Sequence, residues 1–471
     1  MSSGYYGVLI DPSYFKNFIF NCKQQPEIMP PPSAVIPSSV VDITFTHQLP
    51  NAESPTLRLV HPTFAEKQTI WKQNAYSWRG ALSIPAYLRR EQHLSETSLT
   101  RNGGITHWVL VDTSQPFEDE RRVLASCETI RKRALVAFQS PEGVEVEEVV
   151  SHGIGSVFCP KEFRGRGYAK RMMQELSGIL RVWGTEKAIK GSKNCLFTVL
   201  YSDIGKKFYA SHGWHPFASS HISLPPIPKD YVGKAFTLPP PRELYAASLR
   251  ELCDIDEHHQ IQRLATLSSK NKVHVAFVPD LKSMEYHHAR EEYIAREVIG
   301  PEPNVKGAIV GDSDGQRAWC IWTHVFDGKD ESNPATTLYI LRLVIEDEEV
   351  VNQTGLVNPN GPLAADDGLS EAKSKRVDVV ASLLLAARQE AGRWGMKDVK
   401  IWNPGPTTLV AAHRALNLTS EATETSVIEV VDREKESIPS LMWYGESRRP
   451  GLEGIEWKGV EWVCNERYAW C

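Results

Sequence analysis

The chain has 471 residues, of which 41% are hydrophobic and 24% are charged, a length that suits two or three domains. This composition is that of a globular protein and excludes disordered and fibrous classes. The formal net charge of −5 gives no electrostatic reason to expect a nucleic acid partner.

The first half shows alternating strand and helix signals from Leu57 onwards. A strand is predicted over residues 57–60, followed by a helix from Thr63 to Trp78 with Thr63 as N-cap and Glu66 as its capping-box partner. Three further strands are predicted, over residues 106–112, 123–129 and 147–159. Residues 1–55, which are rich in Pro and Ser at their middle, are predicted as an N-terminal extension.

A change of period marks the next helix. Apolar residues recur on one helical face after Tyr168, at Met172, Leu176, Ile179, Leu180 and Trp183. An apolar strand over residues 196–201 and a short helix over residues 204–212 follow, and Gly213 is placed as the left-handed stop of that helix. This order of elements predicts an α/β or α+β fold around a mixed sheet.

Proline clusters divide the chain. Breaks are predicted at residues 224–228 and 239–241, because consecutive prolines do not fit inside a regular element. A helix is predicted from Arg242 to about Ser268. The predicted organisation is therefore an N-terminal extension, a first domain over residues 56–230, a linker and helix over residues 231–270, and a C-terminal α/β domain over residues 271–471.

Metal, membrane and secretory functions have no support in the sequence. No cysteine pair has C-x-x-C spacing and no Cys/His cluster has zinc spacing, so no metal is expected. No run of 18 apolar residues predicts a membrane span, and no secretory signal is recognised. A cytoplasmic location is expected.

The most informative segment joins the strand over residues 147–159 to the helix that begins at Tyr168. Its sequence is Arg164-Gly165-Arg166-Gly167-Tyr168-Ala169. Two glycines let main-chain N–H groups approach a ligand, and a helix N-terminus adds unpaired donors and positive potential. The segment has neither the G-x-G-x-x-G pattern of dinucleotide sites nor a Walker lysine. We call residues 164–169 the cradle and predict that it binds a pyrophosphate.

A second motif follows one strand later, Phe208-Tyr209-Ala210-Ser211-His212-Gly213-Trp214. With the cradle about forty residues upstream, residues 56–230 resemble the GNAT acetyltransferase superfamily, in which R/Q-x-x-G-x-G/A binds the pyrophosphate of CoA. The segment over residues 157–169 resembles more narrowly the fungal lysine N6-acetyltransferase family. The resemblance implies acetyl-CoA as cosubstrate and places Val157, Phe158 and Cys159 beside its pantetheine arm.

The chemistry of acetyl transfer to an amine sets the remaining roles. A lysine-like amine has a pKa of about 10.4, so removing its proton at neutral pH costs about 4–5 kcal/mol and needs a base. Tyr209 matches the position of the family's general acid. His152 and Glu128 are the two candidates for the base, and packing roles compete with catalysis for both. Cys159 has no neighbouring His and is expected to pack rather than to act as a nucleophile.

The C-terminal half repeats the order of elements without the cradle. A helix over residues 376–395, a strand over residues 398–402 and a helix over residues 407–416 predict a second, degenerate GNAT-like domain that shapes the acceptor site and does no chemistry, with an unrelated α+β domain as the alternative. A chain ending near Tyr231 is expected to keep part of its CoA binding.

The predicted function is acetyl transfer to a small-molecule primary amine, with the side chain of free lysine favoured. Polyamines, amino sugars, xenobiotic amines and protein lysine are the alternatives as acceptors. A non-catalytic acyl-CoA-binding module is the alternative from another class, although such a module has no need of Tyr209. No nucleic acid or membrane partner is expected.

Overall fold

The computed structural model describes residues 49–114, 120–185, 195–231, 237–267, 272–329, 334–346, 370–419, 428–445 and 450–471. The helices are α1 (Phe64–Trp78), α2 (Ile84–Leu94), α3 (Tyr168–Leu180), α4 (Lys207–Ala210), α5 (Leu249–Leu267), α6 (Leu281–Val298), α7 (Glu371–Arg393) and α8 (Pro406–Asn417). The strands of the first half are β1 (Leu57–Val60), β2 (Ile105–Asp112), β3 (Ala125–Ser140), β4 (Gly143–Phe158), β5 (Phe197–Ser202), β6 (His215–Pro216) and β7 (Ser220–Leu224). The later strands are β8 (Arg242–Tyr245), β9 (Val273–Phe277), β10 (Val305–Val310), β11 (Ala318–Val325), β12 (Thr337–Ile345), β13 (Asp398–Trp402), β14 (Val430–Asp432), β15 (Ile438–Trp443) and β16 (Val460–Trp462).

The first sheet is built mainly from the N-terminal half. Its order is β1-β2-β3-β4-β5-β15-β6, and β9 joins it beside β3 with β16 at its far edge. Pairs from β1 to β4 are antiparallel, whereas β4 and β5 are parallel. Helix α3 packs on β1 to β4 through its predicted apolar face, in which Met172, Leu176 and Leu180 are fully buried. The mixed sheet predicted for this half is therefore present.

The second sheet repeats the pattern in the C-terminal half. Its order is β14-β7-β13-β12-β11-β10-β8. Strands β10, β11 and β12 pair antiparallel, β12 and β13 pair parallel, and α7 packs against β10 to β13. The fold is thus one mixed sheet followed by a second mixed sheet of similar pairing, as the GNAT resemblance implies.

The two halves exchange strands. Strand β15 from the C-terminal half lies between β5 and β6, and β7 from the N-terminal half lies beside β13 in the second sheet. A fragment ending near Tyr231 would lose β15 and β9 from the first sheet. The expectation that such a fragment keeps part of its CoA binding is therefore not supported by this topology. The predicted domain boundaries stay predictions.

Several local predictions can be compared with the structure. The capping box is present, because the Glu66 N–H donates to Thr63 Oγ1 at 3.2 Å and the Thr63 N–H donates to Glu66 Oε2 at 2.8 Å. The helix predicted from Arg242 is wrong at its start, where β8 pairs antiparallel with β10 and buries Leu244. Gly213 has the expected left-handed φ of 99°.

None of the helices that the structure describes is long and apolar enough to cross a bilayer.

Candidate active site

The cradle follows β4 after a short 3₁₀ turn over Lys161–Phe163 and finishes in the first turn of α3. Gly165 and Gly167 have φ values of 77° and 88°, left-handed conformations that favour glycine. No acceptor among the described residues is found for the main-chain N–H groups from Gly165 to Tyr168. A Cβ added at Gly165 would meet no atom within 4 Å, so the loop leaves open space beside these donors. This arrangement suits an anionic ligand.

The side chains of the cradle divide into two groups. Arg164 and Arg166 are exposed, and Arg164 Nε donates to the Cys159 carbonyl oxygen at 3.0 Å. Tyr168 is buried, and its hydroxyl donates to the Pro50 carbonyl oxygen at 2.6 Å. The arginines are therefore available to a ligand, whereas Tyr168 anchors the start of α3. Ala169 is half-buried in the first turn.

Next to the cradle, β4 and β5 diverge. Their parallel pairing covers only His152 to Ile154 on β4 and Thr198 to Leu200 on β5. Strand β4 continues to Phe158 without that partner, and a register shift against β3 marks a bulge at which Ser156 has a φ of 50°. The residues predicted for the pantetheine arm, Val157, Phe158 and Cys159, are half-buried along this unpaired stretch.

Cys159 packs as expected. Its thiol donates to the Leu124 carbonyl oxygen at 3.4 Å, and burial raises its pKa. A thiol with a raised pKa is a poor nucleophile at neutral pH.

Tyr209 lies on α4, which follows β5. Its side chain is largely buried against Phe208, with the ring centroids 5.0 Å apart. Burial raises the pKa of the phenol, and the Cys127 thiol and Asp203 carboxylate add to the increase. The hydroxyl makes no hydrogen bond to any described residue. The phenol is therefore protonated at neutral pH and free to donate.

Glu128 lies on β3, opposite Gly155 of the bulge region. The Ser156 hydroxyl donates to Glu128 Oε1 at 2.8 Å, and His107 Nδ1 is 3.5 Å from Oε2. Burial lowers the pKa of His107 to about 3, so this imidazole is neutral at physiological pH. The Glu128 carboxylate thus lies against β4, with the Ser156 hydroxyl bonded to one oxygen and the neutral His107 imidazole near the other.

The pKa of Glu128 is raised to about 7, mainly by burial and further by the Glu91 carboxylate. The hydrogen bond from Ser156 and the charges of Arg90 and Arg290 oppose this increase. A carboxylate with this pKa is partly ionised at neutral pH and can accept a proton there.

His152 occupies the other face of the sheet. It pairs across the strands with Arg131, three residues from Glu128 on β3, and side chains alternate between faces along a strand. Its Nε2 donates to the Trp183 carbonyl oxygen at 2.9 Å, and burial lowers its pKa to about 4. The structure does not bring the two candidate bases together.

The C-terminal segment, residues 469–471, also lies at this site, and the sequence did not predict its position there. A Cβ at Gly153 would lie 2.7 Å from Cys471 Sγ, and one at Gly155 would lie 3.5 Å from the Cys471 carbonyl carbon. Lys132 Nζ donates to the carbonyl oxygens of Ala469 and Trp470, at 2.8 and 3.1 Å. Two glycines inside one strand signal a close approach of other backbone, but they do not identify the approaching segment.

Comparisons with known proteins found a matching family, two relatives by sequence and similar solved structures. The family described as the LYC1 GNAT-like C-terminal domain matches residues 221–471. A protein named lysine acetyltransferase, from Yarrowia lipolytica, is 27% identical over 291 residues, which cover 54% of this chain and 68% of that protein. The uncharacterised protein YGR111W of Saccharomyces cerevisiae is 28% identical over 174 residues, which cover 33% of this chain and 42% of that protein. A crystal structure of a probable N-acyltransferase from Enterococcus faecalis superposes with a TM-score of 0.45 at 12% identity, covering 84% of this chain and 73% of that one.

Proposed function

The chain belongs to the LYC1-like family of GNAT acetyltransferases, and from this premise we propose that it acetylates the side-chain amine of free lysine with acetyl-CoA. Membership makes it an N-acetyltransferase. The acceptor, the cosubstrate site and the roles of individual residues are the proposed part.

One observation carries the proposal: the cradle opens directly beside the gap between β4 and β5. Unpaired N–H groups and two exposed arginines fit the pyrophosphate of CoA. The edge of β4 from Gly155 to Phe158 is not paired with β5, so the pantetheine arm of CoA can hydrogen-bond to its main chain where a neighbouring strand would otherwise pair. When bound, acetyl-CoA supplies an acetyl thioester that a neutral amine attacks directly.

Lysine is favoured as the acceptor because the Yarrowia lipolytica relative is named a lysine acetyltransferase. A buried carboxylate near the gap supports a cationic side chain there. Polyamines and protein lysine remain the acceptors that an assay must compare.

We assign the general base to Glu128. An ammonium with a pKa of about 10.4 must lose its proton before attack, and a carboxylate with a pKa of about 7 can take it directly or through a water. His152 is less suited, because burial lowers its pKa to about 4 and its side chain lies on the opposite face of the sheet from Glu128.

We assign the general acid to Tyr209. Its phenol keeps its proton at neutral pH and has no hydrogen-bond partner among the described residues, so it can donate to the thiolate that leaves. The base and the acid then belong to separate elements, β3 and α4. We further propose that residues 56–230 carry the chemistry and that residues 271–471 shape the acceptor site, with residues 231–270 between them and residues 1–55 as the extension.

A thiol-release assay tests the proposal. Purified protein and acetyl-CoA are mixed with lysine, ornithine, spermidine, an amino sugar or a histone peptide, and free CoA is followed. We expect lysine to give the highest kcat/KM. A higher kcat/KM for spermidine or the peptide would refute the acceptor. Binding of acetyl-CoA with no thiol released by any amine would instead favour a non-catalytic module.

A further inference from the structure

Among the described residues, all buried arginines but two make side-chain hydrogen bonds. The buried arginines are Arg90, Arg342, Arg388, Arg433 and Arg467. Arg342 donates to both carboxylate oxygens of Asp256 at 2.7 Å. Arg388 donates to the carbonyl oxygens of Pro225 and Ala415, and Arg90 donates to Glu91. Arg433 and Arg467 make no side-chain hydrogen bond to any described residue.

Arg433 follows β14 and is 4% exposed. All three of its guanidinium nitrogens are buried without a hydrogen-bond partner, and the guanidinium lies 3.6 Å from the ring centroid of Trp402. Burial, together with the charge of Arg467, lowers the pKa of Arg433 to about 9. The positive charges of Arg433 and Arg467 therefore repel each other, and no carboxylate of a described residue is hydrogen-bonded to either guanidinium group.

Arg467 precedes the C-terminal segment and lies among aromatic rings. Its guanidinium carbon is 4.1 Å from the ring centroid of Trp470, 4.5 Å from that of Tyr339 and 4.6 Å from that of Trp402. Its Nε is buried without a partner. Tyr339 and Trp470 are half-buried, so the cluster reaches the surface on their side.

Two more polar atoms in this region lack partners, the Tyr201 hydroxyl and Asn465 Oδ1. A buried charge without a hydrogen bond is costly, and cation–π contacts recover only part of that cost. Such a cluster is retained where a ligand completes it, and an arginine fork matches a carboxylate in particular.

The cluster lies close to the gap between β4 and β5. Tyr201 belongs to β5, one residue beyond the last pair with β4, and its ring centroid is 5.7 Å from that of Trp402. Trp470, which stacks on Arg467, precedes Cys471, which packs against Gly155. A ligand held at Arg467 can therefore extend towards Glu128 along the C-terminal segment.

We propose that Arg467, with Arg433 beside it, binds the carboxylate of the acceptor, so that the acceptor is a free amino acid with a second, distant amine. This inference rests on the proposed function. The carboxylate lies between the rings of Tyr339 and Trp470 and supplies the hydrogen-bond acceptor that the two arginines lack among the described residues. An internal lysine of a protein has no carboxylate to offer and is disfavoured.

The test compares L-lysine with L-lysinamide, which differ only in the carboxylate, by calorimetry in the presence of CoA. We expect wild-type protein to bind lysine at least tenfold more tightly than lysinamide. The Arg467→Gln variant should bind both equally, and Arg467→Lys should keep part of the preference. Arg250→Gln, at an exposed position of α5, is the matched control and should behave as wild type.

Acetyl-CoA affinity, measured separately for each variant, reports on folding and on the cradle. Equal binding of lysine and lysinamide by wild type, or a preference unchanged in Arg467→Gln, overturns the carboxylate site and leaves a structural cation–π stack only. In that case acetyl-CoA binding and turnover of lysine would still support the proposed function. Loss of acetyl-CoA binding in wild type would refute the proposed function, whereas lysine selectivity in the same titrations would still decide the carboxylate site.

Discussion

Replacing Gly165 by Ala tests whether the cradle binds CoA. Gly165 has a φ of 77° and faces open space, so an added methyl group meets no protein atom and occupies volume on the ligand's side. Gly315 is a close match, because it is exposed, has a φ of 78° and also has no atom within 4 Å of an added Cβ. The pair separates the cost of the backbone conformation from the cost to the ligand.

The conformational cost is the same in both variants. An alanine in the left-handed region lowers the free energy of unfolding by about 1–2 kcal/mol. The smaller conformational freedom of alanine in the unfolded chain raises it by about 0.4–1 kcal/mol. We expect each variant to lose about 1 kcal/mol of unfolding free energy in urea titrations. Only Gly165→Ala should lose acetyl-CoA affinity, by at least tenfold, or about 1.4 kcal/mol.

Calorimetric titration with acetyl-CoA decides the matter. If Gly165→Ala binds acetyl-CoA as tightly as Gly315→Ala does, the phosphates do not approach this loop and the cradle assignment is wrong. A substitution at Gly167 is less informative, because its Cβ would lie 3.0 Å from the Ala52 side chain and would disturb the protein itself.

Three further predictions follow from the same geometry. Tyr209→Phe removes only the phenolic donor, so turnover should fall about 10²- to 10⁴-fold while acetyl-CoA affinity is kept; full turnover would return Tyr209 to a packing role. Wild-type kcat/KM should fall as the pH drops through about 7, because the base must be ionised and the pKa of Glu128 is about 7. The Glu128→Gln variant should be slow, and its kcat/KM should not show this fall at acidic pH. If the fall persists in the variant, Glu128 is not the base. A chain truncated after Tyr231 should show no cooperative thermal unfolding by circular dichroism, because β15 is missing between β5 and β6. Cooperative unfolding together with acetyl-CoA binding would contradict this prediction and show that the first half folds alone.

Local signals predicted much of the first half. The capping box at Thr63, the amphipathic period of α3 and the left-handed Gly213 are decided by residues within a few positions of each other, and the structure contains all three. Helix α2 was missed although Ser83 caps it and a proline follows in its first turn, both of which are recognisable helix-start signals.

Long-range pairing explains the errors. Residues Arg242–Tyr245 precede a long helix in sequence and carry no strong strand signal. They nevertheless form a strand, because their main chain hydrogen-bonds to β10 at the edge of the second sheet. The pKa of Glu128 depends in the same way on Glu91 from α2 and Arg290 from α6, which lie far away in sequence. No pattern around Glu128 itself indicates those neighbours.

The exchange of strands explains why the proposed acceptor site escaped the sequence altogether. Arg433 comes to β5 because β15, a few residues later, pairs along that strand. Arg467 is positioned by β16, a few residues earlier, because β16 pairs with β9 and β9 pairs with β3. Each arginine is thus positioned by pairing between the halves, although the cradle is built entirely within the first half. The second half thus supplies both arginines of the proposed acceptor site, and the strand exchange holds them and the cradle around one gap.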